Sequence, residues 1–444
     1  LIFIQHKLIN ILAILMKLFK LINFTKSYDL IWLAITPFVP LLIFYRIIIG
    51  KEEILRIKER FGYPSTTRNK KDKLIWLHAA SLGEVVSATS LAIGFKEANY
   101  KGLILITSGT KTSSEFTKNY KDIIHQYHPL DKKKWVNRFI SFWEPDILIV
   151  MESDIWPNLI LCSKNFGLPV VMASAQISNK SFTRMKNLGF SSTANLFNKV
   201  DLILATDKTQ SEKFLQLGAK KVLTAKSLKI SLPPQKTDQH YIENLKKGIS
   251  NKIIILAAST REGEESILIN SIQQLNKKNH NVFLIIAPRH IQRANKISKI
   301  NNLNIKIKSK DGLPSSYDNF WISNTYGEMS NLYSLADIVF VGGSLYPFGG
   351  HNPSEPCHYK TKIIMGPHSE KCQDIVREMK DNNALIQLNS NSEDEIINSI
   401  EKIIINKDFS KSLSIAGSKL AKSWLKIKTN IAYKILKKFP LLVS

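Results

Sequence analysis

Acidic side chains are scarce in this sequence: 36 Asp and Glu stand against 62 Lys and Arg, leaving a net charge of +26 at pH 7. Such an excess suits nucleic acid, an anionic membrane surface or a phosphorylated substrate. The chain is also rich in Ile and Asn throughout, so much of the Lys excess is compositional. The features that would direct it to nucleic acid are missing. There is no zinc-finger spacing, no RNP-like aromatic motif and no dense Arg tract, and no nucleic-acid partner is expected. Cysteine is equally sparse. Cys162, Cys357 and Cys372 form no CxxC pair and no ligand cluster, which excludes a disulfide framework and points to a reducing compartment. Internal repeats and low-complexity blocks, beyond the Lys/Asn/Ile bias, are absent as well.

The N-terminus differs in character from the rest of the chain. Leu8–Met16 is apolar except for Asn10, and Leu30–Tyr45 carries no charge. The second run falls short of the roughly 20 residues of a spanning helix, though snorkelling by Arg46 extends it through Ile49. Pro37 and Pro40 interrupt it, which a membrane helix tolerates better than a soluble one. Lys17, Lys20 and Lys26 precede it, and Arg46, Lys51, Arg56, Lys58 and Arg60 come after it. This asymmetry puts the C-terminal bulk on the cytoplasmic side. No small-residue cleavage site comes after the run, so a membrane anchor, spanning or interfacial, is expected over residues 1–50 rather than a cleaved signal. A buried helical hairpin of the first domain is the plainer alternative.

From Lys73 onward, short apolar runs alternate with polar helical stretches. Strands are expected at Leu74–His78, Leu103–Thr107, Asp146–Met151, Val170–Ala173, Leu202–Ala205 and Val222–Thr224. After Ser231-Leu-Pro-Pro the pattern restarts, with Ile253–Ala257, Val282–Ala287, Ile338–Val341 and Ile363–Met365. Continuous rather than alternating apolar runs belong to strands covered on both faces. The expectation is an α/β chain with two doubly wound parallel-sheet domains, residues 51–230 and 241–425, and a cleft between them. A helical segment from Ser412 to Leu442 ends the chain, its last part (residues 426–444) available to pack back on the first domain.

Four motifs carry chemistry. Trp76-Leu-His-Ala-Ala-Ser-Leu-Gly-Glu84 runs from a strand into a helix, its small residues, Ser81 and Gly83 among them, allowing close backbone approach. Glu84 there is either a base for an acceptor hydroxyl or an acid favourably placed in a first helical turn; spacing alone favours the second. Met151-Glu-Ser-Asp-Ile-Trp-Pro-Asn158 places Glu152 and Asp154 past a strand end, to orient an acceptor or hold a cationic partner, with helix capping by Ser153 or Asp154 the structural alternative. Ala257-Ala-Ser-Thr-Arg-Glu-Gly-Glu-Glu265 offers Ser259 to an anion at a helix N-terminus. In Ala287-Pro-Arg-His290, Arg289 is either a bidentate anion ligand or a surface ion-pair partner. The richest motif is Val341-Gly-Gly-Ser-Leu-Tyr-Pro-Phe-Gly-Gly-His-Asn-Pro-Ser-Glu-Pro356. Amides freed at Gly342, Gly343 and Ser344 can ring a phosphate. A second glycine pair delivers His351 and Asn352, and Pro353 opens a helix with Glu355 just inside it, placed for ribose hydroxyls. Here function outweighs a purely structural turn.

In this order these motifs resemble the 3-deoxy-D-manno-octulosonic acid (Kdo) transferases. The resemblance spans nearly the whole chain and includes Glu59-Arg60-Phe61-Gly62, Tyr326-Gly-Glu328 and Gly366-Pro-His368. It implies a GT-B fold and inverting transfer of Kdo from CMP-Kdo to a hydroxyl of the lipid A precursor (lipid IVA). The place implied is the cytoplasmic face of the inner membrane, with anionic lipids around it, and no metal or other cofactor is implied. By the same resemblance Glu84 is the general base, with Glu152 and Asp154 on the acceptor side. Lys229, Arg289, His351, Asn352 and Glu355 hold CMP-Kdo, with Gly342, Gly343 and Ser344 near its phosphate. The chain departs from the family pattern at Ser174 and Gln176, where Asn and Arg are usual, at Ala225-Lys226, at Arg261, where His is common, and at Asn324. Another nucleotide-sugar-dependent lipid glycosyltransferase, or a non-catalytic membrane-surface binding protein, is the competing expectation.

Overall fold

The computed structural model of the protein describes residues 24–152, 155–187, 190–249 and 251–443. The chain divides into two compact units: Leu1–Leu232 with Ile427–Ser444, and Pro233–Lys426. Asp154 and the Leu8–Met16 run lie outside the described residues.

The first unit opens with helix α1 (Phe24–Ile35), a 3-10 turn over Thr36–Phe38 and helix α2 (Val39–Ile48). Pro37 and Pro40 each fall in the first turn of a helical segment, where the missing amide has no intrahelical bond to lose. Among the described residues, Tyr28–Ile48 is the one stretch long and apolar enough to cross a membrane by length and composition.

Seven parallel strands come next: β1 (Leu74–His78), β2 (Leu103–Ser108), β3 (Ile124–Tyr127), β4 (Ile147–Met151), β5 (Val170–Ala175), β6 (Leu202–Ala205) and β7 (Val222–Thr224), in the sheet order β3-β2-β1-β4-β5-β6-β7. Strands β1 and β4 are buried at every residue, as their unbroken apolar runs require. Helix α3 (Leu82–Glu97) covers one face of this sheet, and helices α4 (Lys133–Trp143) and α5 (Pro157–Asn165) cover the other. The chain leaves β1 for β2 on one side and returns to β4 on the other, so the order reverses at the β1/β4 boundary. Ligands bind at the carboxyl ends of strands at such a switch point.

The second unit repeats the plan. Strands β8 (Ile253–Thr260), β9 (Val282–Pro288), β10 (Lys306–Ile307), β11 (Phe320–Ile322), β12 (Ile338–Val341), β13 (Lys362–Met365) and β14 (Ile386–Gln387) form a parallel sheet in the order β10-β11-β9-β8-β12-β13-β14. Its switch point lies between β8 and β12. Helix α6 (Glu264–Lys277) starts directly behind β8. The helix expected to open at Pro353 does not form: only a 3-10 turn, Pro356–Tyr359, fits before β13 begins at Lys362. Glu355 precedes that turn instead of lying inside a helix. The last helix, α7 (Lys407–Lys438), begins in the second unit; its final part supplies Ile431, Ala432, Ile435 and Leu436 to the core of the first. Its backbone passes so close to Gly94 in α3 that a Cβ there would sit 2.4 Å from the Lys428 carbonyl oxygen.

Candidate active site

In the first unit, the strand ends at the switch point carry the two sequence motifs. Ser81 is the N-cap of α3 and Glu84 its third residue, joined in a capping box. Glu84 Oε2 accepts from the amides of Ala80 (2.7 Å) and Ser81 (3.3 Å), and the Glu84 amide donates to Ser81 Oγ (3.4 Å). The residue is 7% exposed. The capping reading is thus seen directly, and the amides that satisfy the helix end also fix where the carboxylate points. Gly83 faces open space, with nothing within 4 Å of a Cβ built there.

Glu152 is the hub of this edge. It is 4% exposed, and both its oxygens are engaged. Oε1 accepts from Ser87 Oγ (2.9 Å), one turn beyond Glu84 on α3; Oε2 accepts from Gln176 Nε2 (3.0 Å) and Lys229 Nζ (2.7 Å). Lys229, expected on the donor, thus pairs with Glu152 within the first unit. Spacing gives Gln176 and Ser87 no such role, because it depends on strands β4 and β5 and helix α3 meeting at one carboxylate. Backbone strain concentrates at the same edge: Glu152, just past β4, has φ 53° and Ser174 in β5 has φ 54°. For non-glycine residues such conformations cost about 1–3 kcal/mol each and cluster at functional sites. Ser174 Oγ accepts from the Leu228 amide (3.0 Å), which holds the Lys229 turn against the strand end.

His78, the last residue of β1, is buried and neutral. Trp76 Nε1 donates to Thr107 Oγ1 (2.9 Å), which also shares a hydrogen bond with His78 Nδ1 (3.0 Å). His78 Nε2 and Trp156 Nε1 are buried without a hydrogen-bond partner among the described residues. Burial holds the His78 imidazole well below its ordinary pKa, with His128 adding to the effect.

In the second unit, the glycine motif does something other than the sequence suggests. The amides of Gly343 (2.7 Å), Ser344 (2.8 Å) and Leu345 (3.0 Å) all donate to the Glu264 carboxylate, as does the Arg261 amide (2.7 Å). Glu264 is fully buried. The ring of amides expected around a phosphate is therefore filled by a side chain of the protein itself. The two glycine pairs are laced to each other: Gly350 N donates to Gly343 O (2.6 Å) and His351 N to Gly342 O (3.1 Å). Gly343, at φ 69°, leaves room for the His351 ring, 2.9 Å from where its Cβ would be. Asn352 Oδ1 accepts from the Ser354 amide (3.0 Å), a local turn.

The groups still open to an anion are cationic. Arg289 comes directly after the end of β9, exposed, and no described ion pair engages its guanidinium. Arg261 donates to His290 Nε2 (2.9 Å) and lies 5.6 Å from the Phe348 ring centre. His351 Nε2 is buried and unpartnered among the described residues. Burial, then Arg289, Arg261 and Lys371, push the His351 imidazole down to about 4. The field that keeps a proton off His351 is the field that draws an anion to the same place. Ser259, at the irregular end of β8, has φ 58°, a third strained residue at a strand end. Arg261, Lys371 and Glu264 are the members of this group that motif spacing misses. Among the described residues no cluster of three His, Cys, Asp or Glu is placed to hold a metal ion.

Comparison with known proteins agrees with this layout. Residues 55–232 match the family model described as 3-Deoxy-D-manno-octulosonic-acid transferase (kdotransferase). The 3-deoxy-D-manno-octulosonic acid transferase of Rickettsia bellii (strain RML369-C) is 31% identical over 385 residues, covering 85% of this chain and 90% of that protein. That of Haemophilus influenzae is 31% identical over 370 residues, covering 82% of this chain and 86% of the relative. The crystal structure of a glycosyltransferase from Rickettsia africae ESF-5 shares the fold, with a TM-score of 0.59 at 15% identity over 83% of this chain and 98% of that one. The two parallel sheets make a GT-B glycosyltransferase fold, and the chain belongs to the Kdo transferase family.

Proposed function

We propose that this glycosyltransferase moves Kdo from CMP-Kdo to a hydroxyl of the lipid A precursor (lipid IVA), with inversion, in lipopolysaccharide synthesis at the cytoplasmic face of the inner membrane. The observation that carries the reading is the division of charge between the two switch points. One bears the buried carboxylates of Glu84 and Glu152, the latter paired with Lys229. The other bears Arg289 and Arg261, which no described ion pair engages, beside a neutral His351, while its own buried carboxylate, Glu264, is taken up by backbone amides. Glu84 takes the proton of the acceptor hydroxyl as its oxygen attacks the anomeric carbon of Kdo. The bond to the CMP phosphate breaks on the opposite face, and CMP leaves with the electron pair. Inversion results from that single displacement. Arg289 and Arg261 meet the charge growing on the phosphate, the kind of preorganised stabilisation that contributes most to such reactions. Glu355 accepts from the ribose hydroxyls, and His351 and Asn352 line the donor. Glu152, held by Lys229 and Gln176, orients the acceptor. Gly342, Gly343 and Ser344 shape the donor site through the loop they form rather than by direct amide contact with phosphate. The mechanism asks for no metal.

The test is transfer from CMP-Kdo to lipid IVA by wild type, Glu84→Gln and Arg289→Ala. A loss of at least a hundredfold in turnover for Glu84→Gln, with CMP binding kept, supports the base assignment. Weakened CMP binding in Arg289→Ala supports the donor assignment. Turnover with UDP-sugars in place of CMP-Kdo would refute the donor, and full activity in Glu84→Gln would move the base elsewhere.

A further inference from the structure

We infer that the apolar helix Tyr28–Ile48 lies in the plane of the membrane, pressed into one leaflet by its outer face, and does not cross the bilayer. The inference rests on the proposed function only in that the acceptor is a membrane lipid.

The helix is fastened to the first unit from end to end. At its start Tyr28 Oη donates to Asp131 (2.9 Å), and Asp29 pairs with Lys133. In the middle Lys132 donates to Thr36 Oγ1 (2.8 Å). At its end Arg46 Nε meets Glu52 (2.7 Å), itself locked to the buried Arg60. Between these polar ties runs an apolar seam: Trp32 meets Trp135 edge-on at 5.8 Å, and Val39 and Ile43 are buried with Trp135. The tied positions recur every three or four residues, so they mark one stripe of the helix.

The other faces are bare and apolar. Leu33, Leu41 and Ile48 are 68, 66 and 67% exposed, and Leu30, Phe38, Leu42, Phe44 and Tyr45 are exposed with them. A helix crossing the bilayer is surrounded by hydrocarbon along about 30 Å. This one would carry Asp131, Lys132, Lys133, Glu52 and Arg60 into that hydrocarbon along its packed side. Burying such charges in lipid is prohibitive. An interfacial seating requires none of this. The bare face enters the acyl region, while exposed Lys133 and Lys134 beside the first half, and Lys51 and Lys58 past the end, sit at the level of anionic headgroups.

The seating also reaches the active site. Asp131, which receives the Tyr28 hydroxyl, accepts from the amides of Asn158 (3.1 Å) and Leu159 (2.7 Å) at the start of α5. That helix begins immediately behind Glu152-Ser-Asp-Ile-Trp156. One carboxylate therefore ties the membrane-lying helix to the start of α5, holding that helix end at the bilayer surface where a lipid-borne hydroxyl arrives.

Spin labels on the full chain test this, placed singly by Leu30→Cys, Leu41→Cys and Ile48→Cys. The native cysteines are buried and leave the labelling selective. In vesicles of phosphatidylcholine with phosphatidylglycerol, accessibility to oxygen against a nickel chelate gives each label's depth. All three are expected at one shallow depth, about 5–10 Å below the phosphates. In a further arm, Leu41→Glu is expected to reduce vesicle partition at least tenfold. A profile with Leu41 at the bilayer centre and the outer labels near opposite surfaces would overturn the proposal. So would labels that stay in water, or label–label broadening showing that a second copy covers the face. Transfer activity in detergent micelles, measured on the same preparations, is independent of depth; its loss would sink the proposed function and leave the membrane result standing.

Discussion

At the residue scale, the two carboxylates that matter most for the shape of the sites are Glu264 and Glu152, and they should fail differently. Glu264 satisfies four backbone amides. In Glu264→Gln an NH2 group replaces one of the accepting oxygens and confronts amide donors. We expect a loss of about 2–4 kcal/mol, seen as a lowered denaturation midpoint, with donor binding falling alongside. Wild-type stability would show that the loop stands without its carboxylate. Glu152→Gln removes a contact to Lys229, whose side chain is 39% exposed. Because the carboxylate is buried and accepts from Ser87, Gln176 and Lys229, the substitution should cost about 1–2 kcal/mol of stability, while transfer falls at least tenfold. Equal losses in both measurements would make Glu152 a structural residue. Glu152 and the glycine loop are legible in the sequence because both come directly after strand ends. The Glu264 contact to the glycine loop is not, because the carboxylate and the three loop amides are 79 to 81 residues apart and meet only once β8 pairs with β12. The Lys229–Glu152 pair is hidden for the same reason, the two residues being 77 apart in sequence; the donor role of Lys229 comes from the family resemblance alone.

At the scale of elements, most strands legible in the sequence are buried runs of apolar residues, the half-exposed edge strand β7 being the exception, and β3, β10, β11 and β14 are not legible. The ones missed are at or near sheet edges. Strand β3 reads Ile-His-Gln-Tyr, with two polar residues, and β10 and β14 have two residues each. No periodicity can show in so short a run. The end of α7 makes a close backbone contact with α3 across Gly94. Gly94→Ala would force its Cβ against a backbone oxygen that cannot rotate away. We expect about 1–3 kcal/mol of destabilisation and faster proteolysis within 427–444. Unchanged protease resistance would mean that α3 and α7 can separate without loss.

At the scale of the molecule, acid should weaken the first unit. Burial keeps His125 and His128 down near 3, and His78 well below its ordinary range. In the unfolded chain all three return to about 6.5. Between roughly pH 6.5 and 4 the unfolded state holds protons that the native state refuses, so stability falls as pH falls. Asp131 works the other way. Burial raises it to about 7, so over the same window the native state keeps a proton that the unfolded carboxyl has lost. Three imidazoles against one carboxyl leave a net uptake of about two protons on unfolding, up to about 2–3 kcal/mol per pH unit. Urea midpoints at pH 7 and pH 5 measure this directly. A midpoint that rises on acidification would show that the imidazoles are solvated.

The last helix gives the molecule a history as well as a shape. Ile431, Ala432, Ile435 and Leu436 close the core of a unit whose sheet is complete by Thr224. On the ribosome that sheet emerges first but waits for the whole of Pro233–Lys426 to be made before its covering arrives. At about 5–20 residues per second the delay is on the order of ten to forty seconds. Throughout it Leu91, Phe95 and their neighbours lack part of their cover, whereas the second unit, though synthesised later, is one continuous segment with its whole chain to fold with. The N-terminal unit is thus the last to be finished, and the interval before α7 docks is when the nascent enzyme most needs a chaperone or its membrane.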